Sequence, residues 1–122
     1  MNPLSRRHHH RFPCDLPVRV FREGSLESLG EGRLVDLGLG GASMRGEAAL
    51  KHGEACDLRV SWNRRRRRLK ARLIWSEAET LGFTFQSAPG QEAFLKRLLE
   101  ELRRVEEMPP SLDRTMKNYW DL

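Results

Sequence analysis

The stretch Ala55-Cys56-Asp57-Leu58-Arg59-Val60-Ser61-Trp62-Asn63-Arg64-Arg65-Arg66-Arg67-Arg68-Leu69-Lys70-Ala71-Arg72-Leu73-Ile74-Trp75 alternates apolar and polar residues twice, on either side of five consecutive arginines. Cys56, Leu58, Val60 and Trp62 fall on one face, with Asp57, Arg59 and Ser61 on the other. Period-two alternation of this kind marks a half-buried strand. Leu69, Ala71, Leu73 and Trp75 restart the inward phase, so Arg64 to Arg68 span a hairpin turn and the start of the next strand. On this reading Trp62 and Trp75 are core residues. The arginine run itself reads as a solvated basic turn, with nucleic acid or acidic lipid headgroups as its functional counterpart.

Working upstream, Cys14, Leu16, Val18 and Val20 share one face of a strand that starts at Phe12, opposite Asp15, Pro17 and Arg19. Pro13 and Pro17 lack an N–H and place this strand at an edge. Residues 22–31 read as a polar loop containing Gly24 and Gly30, Gly32 to Asp36 as a second strand, and Ala42 to Met44 as its continuation beyond a glycine turn. Downstream, Leu81, Phe83 and Phe85 give a last strand, with both phenylalanines in the core. The period then changes. Ser87-Ala88-Pro89 opens a helix whose apolar stripe is Phe94, Leu95, Leu98, Leu99, Leu102 and Val105. Glu92–Lys96 and Glu100–Arg104 are favourable i,i+4 pairs on its solvent side. Pro109-Pro110 stops it, and Leu112, Met116, Tyr119 and Trp120 share one face of a short tail. Several short strands separated by turns argue for a small barrel or sandwich, here closed by a C-terminal helix.

The 122 residues suffice for one domain with one modest core. Lys plus Arg number 22 against 17 Asp plus Glu, and this net +5 favours anionic partners. No apolar run approaches the roughly 18 residues of a membrane span, and no signal-peptide pattern opens the chain. Cys14 and Cys56 form no CxxC pair and read as reduced, half-buried thiols of a cytoplasmic protein. His8-His9-His10 alternate in direction when extended and lack companion ligands, so no metal site is expected there. No nucleophile–base pair is apparent, which points away from an enzyme.

Two motifs carry chemistry. In Val35-Asp36-Leu37-Gly38-Leu39-Gly40-Gly41-Ala42-Ser43-Met44 one carboxylate precedes three glycines. Glycine admits positive φ and close backbone approach, and free N–H groups in such a turn form an anion-binding concavity. Asp36 adds an acceptor suited to a donor-rich guanine edge. The plainer alternative is a hairpin turn in which Asp36 bonds its own backbone. The second motif is Arg7-x-x-x-Arg11, with Arg6 alongside, just before the first strand.

Together, Arg7-x-x-x-Arg11 and Asp36-x-Gly38-x-x-Gly41 resemble the signature of the PilZ domain, the bacterial receptor module for cyclic di-GMP: RxxxR followed by [D/N]xSxxG. The resemblance runs from about Ser5 to Val105 and includes the order of elements. It implies a mainly β fold, a six-stranded antiparallel barrel with a C-terminal helix. The division it implies is a flexible basic arm over residues 1–11, the barrel and helix over 12–107, and a tail over 108–122. It also implies that Arg7 and Arg11 contact guanine and phosphate, that Asp36 reads a guanine edge, and that Gly40 and Gly41 let the backbone reach the phosphates. No cofactor is implied beyond the ligand. Guanidinium forks match guanine O6 and N7 and phosphate oxygens. Arg6 would serve a second stacked guanine, as in an intercalated ligand dimer.

Gly38 departs from the pattern, because the family has serine there. The missing hydrogen bond to a charged group is worth roughly 1.5–3 kcal/mol, unless the Gly38 N–H or a water replaces it. The expected function is a cytoplasmic cyclic di-GMP receptor whose arm orders over the ligand and presents a new surface to a downstream protein, with a homodimer through helix or tail as a further expectation. One rival is a degenerate module that binds protein only, supported by Gly38. The other is a small basic nucleic-acid-binding protein led by Arg64 to Arg68.

Overall fold

In a computed structural model, residues 10–107 are described. Six strands are followed by one helix: β1 (Phe12–Arg22), β2 (Ser28–Leu37), β3 (Gly41–Ala48), β4 (Ala55–Trp62), β5 (Arg65–Glu77), β6 (Thr80–Phe85) and α1 (Gln91–Glu107). The strands close into an antiparallel barrel in the order β1-β2-β3-β6-β5-β4. The expected fold class is the one observed. Closure leaves no free edge, so β1 is not an edge strand. Pro13 and Pro17 are tolerated for a related reason: β4 pairs with β1 only from Val18 onward, so the proline-bearing half has β2 as its one strand partner.

The barrel interior is filled by the alternating residues. Val20, Leu34, Leu37, Met44, Cys56, Leu58, Val60, Leu69, Ala71 and Phe83 are completely buried. Helix α1 adds Leu95, Leu98 and Leu99 to the same core, with Phe94 and Leu102 partly buried against it. Its two expected solvent-side pairs form, Glu92–Lys96 at 3.4 Å and Glu100–Arg104 at 3.8 Å. The helix starts at Gln91 rather than at Ser87 because Gly90, at φ 75°, breaks any helical run from Ser87, and the Gln91 side chain then clamps the entry. Its amide accepts from Lys70 N–H at 2.8 Å and donates to the Lys70 and Gln86 carbonyls, fixing the chain entry against β5. The tail beyond residue 107 lies outside the described residues, as does the Pro109-Pro110 stop.

Three further differences have local causes. β2 begins at Ser28, so the loop before it is shorter than residues 22–31; Gly30 and Glu31 are drawn into the sheet by pairing with Val20 and Arg19. Asp57 faces outward but is buried, because the β1–β2 turn folds over it: Gly24 N–H donates to it at 3.1 Å and Arg68 at 2.8 Å. Arg68 therefore belongs to the fold rather than to a solvated turn. It also donates to the Ser25 carbonyl at 2.6 Å and lies over the Phe21 ring.

Candidate functional site

The site is assembled by the residues that break the strand pattern. β2 pairs Leu34 with Met44 but Asp36 with Ser43, so Val35 is the extra residue of a bulge. Strict alternation would put Asp36 on the same inward face as Leu34; the bulge turns it out. In β1 a bulge between Pro13 and Leu16 brings Pro13 opposite Asp36. In β5 a third, between Leu73 and Trp75, sets Trp75 opposite Gly82. Gly82 in turn pairs with Ser43. The outcome is one row across the outer wall, Pro13–Asp36–Ser43–Gly82–Trp75. Bulges recur beside binding sites because they re-aim a side chain at small cost to the sheet.

Arg11 reaches into this row from just before β1. Its guanidinium donates to Asp36 Oδ1 at 2.9 Å and to Ser43 Oγ at 3.4 Å. The pair is partly shielded, with side-chain exposures of 18% and 31%. Asp36 thus bonds a distant guanidinium, not its own backbone turn. Ser43, buried, was not among the expected site residues. Nor was Trp75, expected in the core and found 38% exposed. Its indole lies on Gly82, in the very space a Cβ there would occupy. Trp62 and Phe85 are partly buried and Phe83 fully buried, in keeping with the core reading.

The glycine turn works by smallness, not by unusual dihedrals: none of Gly38, Gly40 and Gly41 takes a positive φ. A Cβ at Gly41 would overlap the Phe83 carbonyl and stand 3.0 Å from the Arg11 guanidinium. A Cβ at Gly38 would stand 2.9 Å from the His10 carbonyl and 3.3 Å from Arg11 Cγ. The Gly38 N–H is not available to an anion, since it donates to the Gly41 carbonyl at 2.9 Å. The Gly40 carbonyl accepts from Phe85 N–H at 2.9 Å and from the Thr84 hydroxyl at 3.2 Å, which ties the turn to β6. Arg6, Arg7, His8 and His9 lie outside the described residues; His10 packs edge-on against Phe12.

Burial, then Asp36 and Asp15, push the Cys14 thiol up to about 12. Burial, then Asp57 and Glu54, do the same for Cys56, which is fully rather than half buried. Both are thus kept protonated near neutrality, away from the thiolate form that acts as a nucleophile or soft metal ligand. Among the described residues no three His, Cys, Asp or Glu side chains group to hold a metal, and no helix is long and apolar enough to cross a membrane.

Residues 5–102 match the family model of the PilZ domain. No curated protein matches the chain. Among solved structures, the PilZ domain of CeSA from a cellulose-synthesising bacterium is 26% identical with a TM-score of 0.66, over 77% of this chain and 98% of that one. The PilZ domain of Escherichia coli YcgR with c-di-GMP is 24% identical with a TM-score of 0.66, over 81% and 92%. A longer YcgR chain from the same organism, in complex with c-di-GMP, is 27% identical with a TM-score of 0.65, and the match covers 81% of this chain but 46% of that one.

Proposed function

The chain belongs to the PilZ domain family, and from that premise we propose that it is a regulatory receptor, not an enzyme, whose ligand is cyclic di-GMP. The ligand class is supported by YcgR, whose solved complex carries c-di-GMP. The observation that carries the reading is the row Asp36–Ser43–Gly82–Trp75 with Arg11 laid across its start. A guanine seated on the exposed Trp75 ring would turn its N1–H and exocyclic amine toward Asp36. Base–aromatic stacking is worth about 1–3 kcal/mol. Arg11 would bridge from the base to a phosphate. Ser43 supplies a hydroxyl in the row to offset the one that Gly38 lacks. Gly41 keeps the Arg11 guanidinium close to the backbone. Arg7, and Arg6 where a second nucleotide intercalates, would close over the ligand from the arm. The altered surface would then be read by a downstream protein or a second copy of the chain.

Isothermal titration of cyclic di-GMP into the full chain, with GTP and cyclic di-AMP as controls, tests this. Selective binding that Arg11→Ala abolishes and Trp75→Ala weakens is expected, and the molar ratio at the inflection gives the ligand count. No heat from a folded chain refutes it. A second reading, a module that binds protein without nucleotide, is favoured by one observation: the arm backbone at His10 occupies the space the motif serine would need.

A further inference from the structure

We propose that the β4–β5 hairpin is a second binding element, an arginine ribbon that grips the phosphate backbone of B-form duplex DNA on the barrel wall opposite the Asp36 row. The hairpin extends past its neighbours. β1 pairs with β4 only as far as Val60, and β6 pairs with β5 only from Ala71, so Ser61–Trp62 and Arg65–Arg66, with the loop between them, form a two-stranded tip, and residues 67–70 of β5 have β4 as their one strand partner. Its loop is two residues, Asn63 and Arg64, with φ of 53° and 63°. Left-handed dihedrals at both loop positions make a type I′ turn, whose twist matches the strands and keeps the ribbon tight.

Alternation along this ribbon sends guanidiniums to both faces. Arg66 stands on the outer wall, where Arg19, Arg59 and Arg68 are directly opposite one another across β1, β4 and β5. Arg65 and Arg67 line the other face, a groove of about 340 Å³ that Arg66 also borders, whose floor is Trp62 and Phe94 and whose far bank carries Arg97 of α1; Arg67 there donates to the Pro89 carbonyl at 3.3 Å and lies over the Phe94 ring. Like charges in direct cross-strand register oppose folding. Glu31 answers Arg19 and Asp57 answers Arg68. Among the described residues, Arg59, Arg64, Arg65, Arg66, Arg67 and Arg97 have no carboxylate partner. Four of these, Arg64 to Arg67, sit at the hairpin end, with Arg59 on the wall below it and Arg97 on α1 beside it, and six neighbouring cations without a carboxylate call for an external polyanion.

Two features select duplex DNA. All of these cations are arginine, whose planar fork suits phosphate oxygens better than a lysine point charge does. They also occupy two faces of a ribbon, whereas a bilayer surface would meet one. A two-stranded ribbon fits the roughly 12 Å major groove of B-DNA, with phosphates on either flank, but not the deep, narrow groove of an A-form duplex. The surface is separate from the nucleotide row, which lies on β2, β3, β6 and the far end of β5, and it does not depend on that reading.

The test is fluorescence anisotropy of the full chain with a short, labelled, mixed-sequence DNA duplex, titrated across about 50–200 mM salt. With five or so phosphates contacted, log K falls against log salt with a slope of about −4.5. Replacing three exposed tip residues, Arg64→Gln, Arg65→Gln and Arg66→Gln, makes the slope shallower by about 2.7. An RNA duplex of the same sequence binds at least tenfold more weakly, and phosphatidylserine vesicles do not compete. Absence of DNA binding at the lowest salt overturns the proposal. So does a slope unmoved by the triple variant, equal affinity for the RNA duplex, or displacement by vesicles. The salt, RNA and vesicle arms use the unaltered chain and stand even where the variant fails to fold.

Discussion

Gly38→Ser restores the serine of the family motif, and the structure sets both its cost and its gain. The new Cβ would lie 2.9 Å from the His10 carbonyl, 3.3 Å from Arg11 Cγ and 3.7 Å from Arg11 Cα. The first of these requires the His10 backbone to shift, and the second a smaller adjustment of the Arg11 side chain. His10 precedes Phe12↔Leu37, the first pair of the β1–β2 ladder, so the contact lies outside the strand pairing. Overpacking costs about 1–3 kcal/mol, and a contact that can yield belongs at the low end, about 1 kcal/mol. Such a loss lowers Tm by roughly 4–8 °C for a domain of this size. Against it stands a hydroxyl–phosphate hydrogen bond of about 1.5–3 kcal/mol. Part of that is returned when Arg11 shifts from its 2.9 Å contact with Asp36. The net expectation is cyclic di-GMP binding about tenfold tighter in a slightly less stable protein, measured by titration calorimetry and thermal unfolding at matched salt. Weaker binding with an unchanged Tm would refute the hydroxyl account. A fall in Tm well beyond about 8 °C would refute the claim that the arm yields.

The remaining predictions concern single side chains. Gly41→Ala drives a Cβ into the Phe83 carbonyl, a backbone atom that cannot rotate away, so urea unfolding should show a loss of about 2–4 kcal/mol from overpacking and a broken ladder bond; an unchanged midpoint would mean the β3–β6 spacing is slack. Trp75→Ala should reduce cyclic di-GMP affinity about tenfold or more while changing stability little, and ligand should quench the wild-type indole fluorescence. Arg68→Ala should cost about 1–3 kcal/mol, because it strips a buried aspartate of its ion pair, whereas the exposed Arg66→Ala should stay within about 0.5 kcal/mol of wild type. Cys14 and Cys56, both raised to about 12 by burial first, are protonated well above neutrality. Reaction with a thiol reagent at mildly alkaline pH should therefore be slow until urea unfolds the chain, and since a raised thiol pKa adds stability only while the thiol stays protonated, that contribution is lost as pH climbs toward the folded value.

The barrel is legible because its interior is written in period two. Ala55–Trp62 is a strand with the same bounds in the sequence and in the structure, since every inward position from Cys56 to Val60 is an apolar residue that ends fully buried. The helix is legible by its change of period. What fails is any state set by a partner rather than by the segment itself. Ser28 to Glu31 is polar and contains Gly30, and only pairing with β1 makes it strand. Asp57 looks solvated by alternation, yet the β1–β2 turn covers it. Arg68 looks like the end of a charged run until Asp57 and Phe21 give it a place.

The site is harder to read for a more specific reason. Arg11 and Asp36 can be found by residue type and spacing, because a guanidinium and a carboxylate near a glycine turn have a chemistry of their own. Ser43 and Trp75 have no such flag, and for Trp75 the alternation points the wrong way. One extra residue reverses the facing of everything after it. Ile74 is that residue in β5, just as Val35 is in β2. Were Val35 paired regularly instead of bulged, the Asp36 carboxylate would fall in phase with Leu34 and enter the core, where an ionised group is costly; were Ile74 paired regularly, the Trp75 ring would follow Leu73 inward. Gly82 is the trace these shifts leave in the sequence. A glycine between Leu81 and Phe83, in the middle of a strand, lacks a side chain to pack, and the indole of Trp75 takes the space a Cβ would fill. The residues that make the wall of the site are therefore those whose positions violate the rule that makes the barrel, and a strand glycine opposite a tryptophan is the signal by which the violation can be found.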